Sequence, residues 1–358
     1  AEQFARLHIL YYNVRKGSSY DMKTERFKFK HVLSLLLSCT ILASVLPLEA
    51  IAVEKITPPD DKVLISQTNY TLTSGVTETD VFLNASSGNA QIAGYMLTVE
   101  PTAKATFKAS YKGYYAAGST LDSRKNNASN LTWALESTSN QAAAYEKATG
   151  GNVIAATNGD YYNMQTGQPL GYLIMEGNLI QKNNGHSNEP YFAVLKDGSY
   201  AIRDAGTDCS DVQEAISGPF YLVHDGKIVA DAANTDLMPR NSIGMKPDGT
   251  VVTFVADGRQ YPYSVGMTLY ELASYYCKQG VTEAIYLDGG GSATFASKRE
   301  GTNTLEIRNS PSDGVERTVS SALLLVSTAA QDGTFDHAAV QPNNQLYTPG
   351  STVQFTAS

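Results

Sequence analysis

Alternating apolar and polar residues dominate the chain from about Thr77 onward and predict β-strands. Runs such as "VFLNA" and "AGYMLTVE" between Thr77 and Lys112 follow this alternation and contain β-branched residues. Three later segments place Asp-Gly between two β-prone runs, which predicts tight hairpins: 193–202, 221–229 and 242–255. The aspartates of these segments are therefore predicted to be turn residues without a chemical role: Asp197, Asp225 and Asp248.

Two segments carry the start and stop signals of helices. Residues 139–151 begin with Ser139 as a candidate N-cap, continue through alanine-rich turns and end at two glycines. In the second segment Thr268 and Glu271 form a Thr-x-x-Glu capping box, and Gly280 is the stop signal.

The second helix lies between two apolar runs, "VVTFVADGRQ" and "EAIYLD", which are both typical of strands. A strand–helix–strand order predicts a parallel strand pair with a right-handed crossover. The expected fold class is therefore α+β, a mixed β-sheet with many hairpins and a strand–helix–strand unit at 251–288.

Polar side chains follow three of the predicted strands. Asp257 and Asp288 end the two strands of the 251–288 unit, and Asn158 and Asp160 follow the short apolar strand "NVIAAT". Ligand sites gather outside the carboxyl ends of parallel strands, so the two former aspartates are expected to share one rim. Asn158 and Asp160 join that rim if their strand runs parallel to the others. The alternative is that each residue is only a polar strand terminus.

The stretch "YLDGGGSATF", residues 286–295, places three glycines and Ser292 directly after Asp288. Glycine lets backbone N–H groups approach a phosphate or another anion, although three glycines also fit a tight turn with nothing bound. The segment lacks the lysine of a P-loop and no GxGxxG motif follows, which argues against a nucleotide-binding loop. A small anionic or polyhydroxylated ligand stays open as an interpretation.

Three arginines supply positive charge near this acidic rim: Arg240, Arg259 and Arg317. Arg317 lies between a polar loop, Asn309 to Glu316, and an apolar strand. Because that loop is rich in turn formers, it also fits a solvated connection.

Residues 22–52 have the pattern of a secretory signal peptide. A head rich in Lys and Arg precedes an apolar stretch and a small-x-small cleavage pattern, Ala50-Ile51-Ala52. The stretch is too short and wrongly flanked for a stable membrane span, so none is expected in the mature protein; an uncleaved anchor is the alternative. We interpret residues 1–21 as an upstream extension and 53–74 as a polar leader into the fold.

Charge and cysteine content exclude two classes of protein. Removing the seven basic and four acidic residues of segment 1–52 from the totals of 27 and 35 leaves 20 basic and 31 acidic residues. An acidic chain of this kind lacks the basic footprint that nucleic-acid binding needs. Past the signal only Cys209 and Cys277 occur, without a CxxC pair and with scattered histidines, which argues against a zinc site. A disulfide between the two cysteines is not expected.

Six segments occur in the order and spacing of a known family: "ATNGDYYN", "GYLIMEGNLI", "MPRNSIG", "VADGRQ", "YLDGGGSAT" and "NSPSDGVERTVSSALL". Over residues 75–328 the chain therefore resembles the phosphodiester glycosidase family. The resemblance implies an α+β domain that hydrolyses the link between a sugar's anomeric carbon and a phosphate. The sugar would be an α-N-acetylglucosaminyl group or a sugar of a wall polymer, and no cofactor is required.

The resemblance and the residue chemistry together imply two sets of site residues. The proposed catalytic set stabilises a cationic ring or activates water through carboxylates and holds the phosphate through arginines: Asp288, Asp160, Arg240 and Arg317. The proposed substrate-binding set contacts hydroxyls or phosphate oxygens: Asn158, Asp257, Arg259, Gly289, Gly290, Gly291, Ser292 and Asn309. One departure is Met238, where the family usually has histidine.

Two other classes of function stay open on the sequence. In a metal-dependent phosphodiesterase, Asp160, Asp257 and Asp288 would bind Mg²⁺ or Ca²⁺. A non-catalytic carbohydrate-binding or adhesion module would bind sugar without turnover.

The signal peptide predicts a secreted protein, extracellular or associated with a bacterial cell wall. Residues 329–358 are expected to be a linker and the truncated start of an immunoglobulin-like module. Further modules after it would provide cell-wall association.

Overall fold

The computed structural model describes residues 55–85, 90–182, 189–299 and 302–330, and a short antiparallel pair, Val340–Gln341 with Thr356–Ala357. That pair belongs to a unit separate from residues 55–337. The expected signal peptide lies outside the described residues, as does most of the expected immunoglobulin-like segment. No helix of the described segments is long and apolar enough to cross a membrane.

Within residues 55–330 the described segments form twenty strands, numbered in chain order: β1 (Lys62–Thr73), β2 (Val76–Ala85), β3 (Gln91–Val99), β4 (Ala105–Tyr111), β5 (Glu136–Ser137), β6 (Asn152–Asn158), β7 (Leu173–Met175), β8 (Asn178–Gln181), β9 (Tyr191–Leu195), β10 (Tyr200–Arg203), β11 (Val212–Ser217), β12 (Tyr221–His224), β13 (Lys227–Ile228), β14 (Arg240–Met245), β15 (Val251–Ala256), β16 (Glu283–Tyr286), β17 (Phe295–Ser297), β18 (Glu306–Ile307), β19 (Thr318–Val319) and β20 (Ser321–Ser327). Sheet 1 has the order β1-β2-β3-β15-β14-β16-β12-β13, sheet 2 the order β18-β17-β6-β20-β4, and sheet 3 the order β10-β9-β11-β7-β8. Strands β5 and β19 form a separate two-stranded pair.

Three α-helices occur in the described segments: α1 (Leu121–Asn127), α2 (Thr138–Thr149) and α3 (Leu269–Lys278). Helix α3 begins with the predicted capping box, in which Thr268 and Glu271 satisfy each other's backbone N–H groups. Helix α2 is capped by Ser137 rather than by the predicted Ser139. The fold is thus mostly β with few helices, consistent with the α+β class.

The core is layered because strands alternate their faces. On β20, Leu323 and Leu325 pack into a cluster with sheets 1 and 3, whereas Leu324 packs on the opposite face against the cluster of α2. Phe254 of β15 turns in the other direction, toward Tyr275 of α3. Sheets 1 and 2 therefore bury one face against each other, and a helix covers the outer face of each.

The expected mixed sheet with an adjacent parallel pair is wrong, because every strand pairing in the described segments is antiparallel. The predicted hairpin at 242–255 forms as β14 and β15, and β3 occupies the other edge of β15. Strand β16 therefore pairs with the free edge of β14. Strands β15 and β16 run in the same direction but are separated by β14, so their carboxyl ends still lie on one side of the sheet.

One other expectation is changed by the fold, and two agree with it. Residues 62–73 of the expected leader form β1, which pairs with β2 along sheet 1. The hairpins at Asp197, Asp225 and Asp248 form as predicted, and both cysteines are free.

Candidate active site

The ends of β6 and β16 meet although the two strands belong to different sheets. The backbone N–H of Asp288 donates to the carbonyl oxygen of Gly159 at 2.9 Å. The Asn158 amide donates to the carbonyl oxygen of Asp288 at 2.7 Å. Asn241 of β14 donates from its side chain to the carbonyl and amide oxygens of Asn158, at 2.8 and 2.9 Å. The strand ends that carry Asn158 and Asp288 therefore meet, at a junction between sheets 2 and 1 and not along the edge of one parallel sheet.

Asp288 is half-buried at this junction and has a shifted pKa. Burial raises the pKa of its carboxyl to about 6, while a hydrogen bond with Ser292 and the charge of Arg317 act in the lowering direction. Arg317 also donates to the Ser292 hydroxyl at 3.3 Å. An arginine, a serine and a carboxylate therefore form one connected polar group.

The three glycines after Asp288 are required chiefly by the protein's own packing. A Cβ at Gly289 would lie 2.1 Å from the Tyr286 hydroxyl, and a Cβ at Gly291 would lie 2.1 Å from a guanidinium nitrogen of Arg317. Gly290 differs, because it has a φ of +59° and a Cβ at this position would lie 3.6 Å from its nearest atoms, the guanidinium nitrogens of Arg259. The Arg259 guanidinium therefore lies directly beside the glycine loop at Gly290.

Arg317 is held by the loop that precedes it. Its guanidinium donates twice to one carboxylate oxygen of Asp313, at 2.9 and 2.6 Å, and its side chain is 33% exposed. The adjacent Glu316 accepts hydrogen bonds from the backbone N–H and hydroxyl of Ser139, at the start of α2. The loop is therefore tied to a helix and presents a partly exposed cation beside Asp288.

Arg259 is the exposed cation of the site. It adopts a left-handed backbone conformation, φ 60°, and donates to the thioether sulfur of Met238 at 3.3 and 3.1 Å. A thioether is a weak acceptor, so the guanidinium retains capacity for an anionic oxygen.

Arg240 is buried and makes its hydrogen bonds inside the protein. Its guanidinium donates to the carbonyl oxygens of Met267 and Asp236, each at 2.7 Å, and to the Tyr286 hydroxyl at 3.3 Å. The side chain is 6% exposed. The geometry does not support the expected phosphate contact and indicates that Arg240 positions Tyr286 and the loop before β14.

Three predicted substrate-binding residues join strand ends instead. Asp257 accepts from the Asn309 amide, the Ser310 backbone N–H and the Tyr263 hydroxyl. Asn309 also accepts from the backbone N–H of a residue in β17, and Asn158 is fully buried in the junction described above. Because these polar groups are satisfied within the protein, the structure assigns Asn158, Asp257 and Asn309 to the scaffold.

Asp160 is buried below the junction. Its two carboxylate oxygens accept backbone N–H groups of Tyr161 and Gly171, at 2.7 and 2.8 Å. Burial and the charges of Glu189 and Asp288 raise its pKa to about 8, against the lowering effect of the two hydrogen bonds. Asp160 is only 2% exposed, which is poor access for a substrate.

Tyr162 and Asp313 are site residues that the sequence reasoning missed. The Tyr162 hydroxyl donates to the carbonyl oxygen of Thr318 at 3.2 Å, and burial and the charge of Asp288 raise its pKa. The signals were present in the sequence. Tyr162 is the second residue after the "NGD" segment, and Asp313 stands four residues before Arg317.

The three aspartates of the metal hypothesis do not form a ligand group. In the described part of the chain, one set of three residues has ligand atoms within 4.8 Å of one another: His224, Asp225 and Glu283, with His224 and Asp225 on the β12–β13 hairpin. The oxygens of Asp257 are occupied as described above. The site geometry therefore gives no support to a cation held by Asp160, Asp257 and Asp288.

Part of the chain matches a known protein family. Residues 151–326 match the model of a protein family described as phosphodiester glycosidase. This segment is a phosphodiester glycosidase domain. It contains the strand junction, the glycine loop and the three arginines.

Relatives and solved structures agree with the domain assignment. The mouse (Mus musculus) N-acetylglucosamine-1-phosphodiester alpha-N-acetylglucosaminidase is 30% identical over 162 residues, 39% of this chain and 31% of that protein. The Bacillus subtilis (strain 168) SPbeta prophage-derived uncharacterized protein YomE is 30% identical over 172 residues, 44% and 26% of the two chains. The chain thus spans about a third or less of the length of these relatives.

The solved catalytic domain of the zebrafish N-acetylglucosamine-1-phosphodiester alpha-N-acetylglucosaminidase, auto-inhibited by its pro-peptide, has the same fold. Its TM-score is 0.52 at 22% identity, over 73% of this chain and 88% of that one. The fold of the phosphodiester glycosidase domain thus extends to strands before residue 151.

Proposed function

We propose that this chain is a hydrolase that cleaves a sugar-1-phosphodiester between the anomeric carbon and the phosphate oxygen. The observation that carries the proposal is the half-buried Asp288 carboxyl, with its pKa raised to about 6, beside Ser292 and Arg317. The family match and the names of the relatives support the same reaction and an N-acetylglucosaminyl sugar.

The reaction needs charge stabilisation more than proton donation. The leaving group is a phosphate monoester, which is a stable anion, so the barrier lies in the positive charge that develops at the anomeric carbon. Asp288 as a carboxylate stabilises that charge or accepts a proton from the attacking water. The water oxygen bonds to the anomeric carbon, the carbon–oxygen bond to phosphate breaks, and its electron pair leaves on the phosphate.

The phosphate is held by Arg259, which is exposed, and by Arg317, which is partly exposed. The Arg259 guanidinium lies beside Gly290, and Arg317 lies beside Gly291 and Ser292. Guanidinium groups form strong charge-assisted hydrogen bonds with phosphate oxygens. Arg240 and Asp160 are proposed to position the loops, since both are buried and hydrogen-bonded within the protein.

An isotope experiment tests which bond breaks. The protein is incubated in ¹⁸O-water with the methyl phosphodiester of α-N-acetylglucosamine, and both products are analysed by mass spectrometry. We expect free N-acetylglucosamine carrying the label at its anomeric oxygen, and unlabelled methyl phosphate. Label in the phosphate would contradict the proposal and indicate a phosphodiesterase.

Two further measurements separate the proposed hydrolase from a metal-dependent phosphodiesterase and from a carbohydrate-binding module. Activity that persists after treatment with a chelator is expected, whereas activity lost in chelator and restored by Mg²⁺ would favour the metal enzyme. Saturable binding of the diester without any turnover would favour the carbohydrate-binding module.

Secretion forms part of the proposal and rests on the signal-peptide pattern at 22–52. A wall polymer with sugar-1-phosphate links would then be an accessible substrate. N-terminal sequencing of secreted material is expected to begin at Val53, and a start before Met22 would contradict it.

A further inference from the structure

The loops that carry the candidate site also expose large apolar side chains. Eleven large hydrophobic residues are exposed in the described segments, and four of them lie on the loops around the glycine loop. These four are called the apolar rim, with exposed fractions of 72, 44, 73 and 70%: Met164, Leu237, Tyr261 and Val315. Each stands within a few residues of a site residue in the sequence.

Hydrogen bonds between the loops place the apolar rim around one site. The loop of Tyr261 contacts the loop of Val315 through Gln260 and Ser310, whose two mutual hydrogen bonds measure 2.6 and 2.8 Å. It also contacts the loop of Leu237 through the bonds from Arg259 to Met238.

The loop of Met164 closes the arrangement on the other side. Its neighbour Tyr162 donates to the carbonyl oxygen of Thr318, next to Arg317. The four loops are therefore connected to one another and to Arg259 and Arg317, and each adds one apolar side chain to the surface.

We propose that the apolar rim binds an apolar aglycone, an alkyl chain esterified to the phosphate of the substrate. The proposal rests on the proposed function, since the two arginines that hold the phosphate define where its second ester group begins. In this proposal the sugar lies toward Asp288 and the buried strand ends, and the second ester group extends across the loops. Three of the four rim side chains are about 70% exposed, and an alkyl chain is the kind of aglycone that removes such apolar surface from water.

The size of the effect follows from apolar burial. Each methylene that is fully removed from water increases affinity by about fourfold. An open rim covers a chain only partly, so a ten-carbon chain is expected to improve binding by at least about tenfold over a methyl group.

The experiment compares two substrates that differ only in the aglycone. The methyl and decyl phosphodiesters of α-N-acetylglucosamine are hydrolysed below the micelle concentration of the decyl compound. We expect kcat/KM to be at least about tenfold higher for the decyl diester, mainly through KM. The double variant Met164→Ser, Tyr261→Ser should bring the decyl-to-methyl ratio close to one. Leu179→Ser, an exposed leucine on β8, is the matched control and should keep the wild-type ratio.

Different failures have different meanings. Equal kcat/KM for both diesters overturns the apolar aglycone and leaves the proposed function intact. If neither diester is hydrolysed, the proposed function fails. Calorimetry with decyl phosphate and methyl phosphate then tests alkyl binding by the apolar rim by itself, and equal affinities for the two compounds overturn it.

A vesicle measurement separates the aglycone from a membrane surface. Vesicles of phosphatidylcholine without sugar phosphate are expected not to bind the protein. Binding to them that the double variant abolishes would assign the apolar rim to membrane docking and overturn the proposal.

Discussion

Asp288 and Gly159 are joined by a backbone hydrogen bond of 2.9 Å, from the N–H of Asp288 to the carbonyl oxygen of Gly159. The bond connects the end of β16 in sheet 1 with the end of β6 in sheet 2. It fixes the backbone of the candidate catalytic carboxylate and leaves the side chain beside Ser292 and Arg317. The backbone and the side chain of Asp288 therefore have separable roles, which mutation can distinguish.

Asp288→Asn is expected to lower turnover of a sugar-1-phosphodiester by at least about a hundredfold with the fold intact. The substitution keeps the volume and the backbone bond to Gly159 but removes the negative charge. Turnover is measured by release of reducing sugar, and folding by circular dichroism and thermal unfolding.

Asp248→Asn is the matched control for that variant. Asp248 is exposed in the β14–β15 hairpin and accepts the backbone N–H of Thr250 at 2.9 Å, which an asparagine oxygen also does. Near-native activity of Asp288→Asn would remove Asp288 from the chemistry and leave the proposal without its carboxylate.

Local features of this fold could be predicted from the sequence because their causes are local. The capping box of Thr268 and Glu271 needs only four consecutive residues, and each Asp-Gly hairpin needs only a turn that accepts positive φ. Helix α3 and the three hairpins accordingly form where predicted. The order of six short motifs also identified the family, although each motif alone is weak.

The junction between sheets could not be predicted because it depends on distant edges. Strand β16 avoids β15 since β14 and β3 already occupy both edges of β15, and no local pattern encodes that competition. The substrate contacts expected for Asp257 and Arg240 differ from the structure for a related reason. The sequence shows that Asp257 and Arg240 are charged and near motifs, but not that Asn309, Ser310 and backbone carbonyls satisfy them.

The pH dependence of the reaction should follow Asp288. Because a carboxylate is required and the pKa of Asp288 is about 6, kcat/KM is expected to rise with pH through that value and then level off. Arg317→Gln removes a cation that lowers this pKa, so the rising limb should move to higher pH, while Arg317→Lys should keep it near its original position.

Arg203→Gln provides the control for the charge change. Arg203 pairs with Asp211 at 2.7 Å in the β9–β10–β11 part of sheet 3, outside the site. If Arg203→Gln moves the rising part of the pH profile of kcat/KM as far as Arg317→Gln does, the shift reports overall charge and not the contact with Asp288.

Asp160→Asn is expected to destabilise the protein by about 1–3 kcal/mol, because asparagine has one acceptor for the two N–H groups of Tyr161 and Gly171. The pKa of Asp160 is about 8 in the folded protein and has a reference value of 3.8. The folded state therefore binds more protons between these values, and the free energy of unfolding should fall as pH rises across that window.

Urea unfolding at several pH values checks this expectation. Other buried carboxyls titrate in the same range, including Glu214 with a pKa of about 7. The difference in the free energy of unfolding between wild type and Asp160→Asn isolates the contribution of Asp160. This difference should become smaller as pH rises. A variant that loses turnover without losing stability would instead make Asp160 the catalytic carboxylate.

Gly290→Ala tests where the phosphate binds. Gly290 and Gly280 both have positive φ, +59° and +79°, so alanine at either position costs about 1 kcal/mol in backbone strain. They differ in their surroundings: a Cβ at Gly280 meets nothing within 4 Å, whereas a Cβ at Gly290 points toward the Arg259 guanidinium at 3.6 Å. Alanine at Gly290 should therefore raise KM for the diester at least about tenfold by placing a methyl group against the guanidinium that is proposed to bind the phosphate, while Gly280→Ala should lower stability alone. Urea unfolding of both variants measures the backbone strain, and steady-state kinetics measures the obstruction of phosphate binding. Equal KM values in the two variants would place the phosphate away from Gly290 and Arg259.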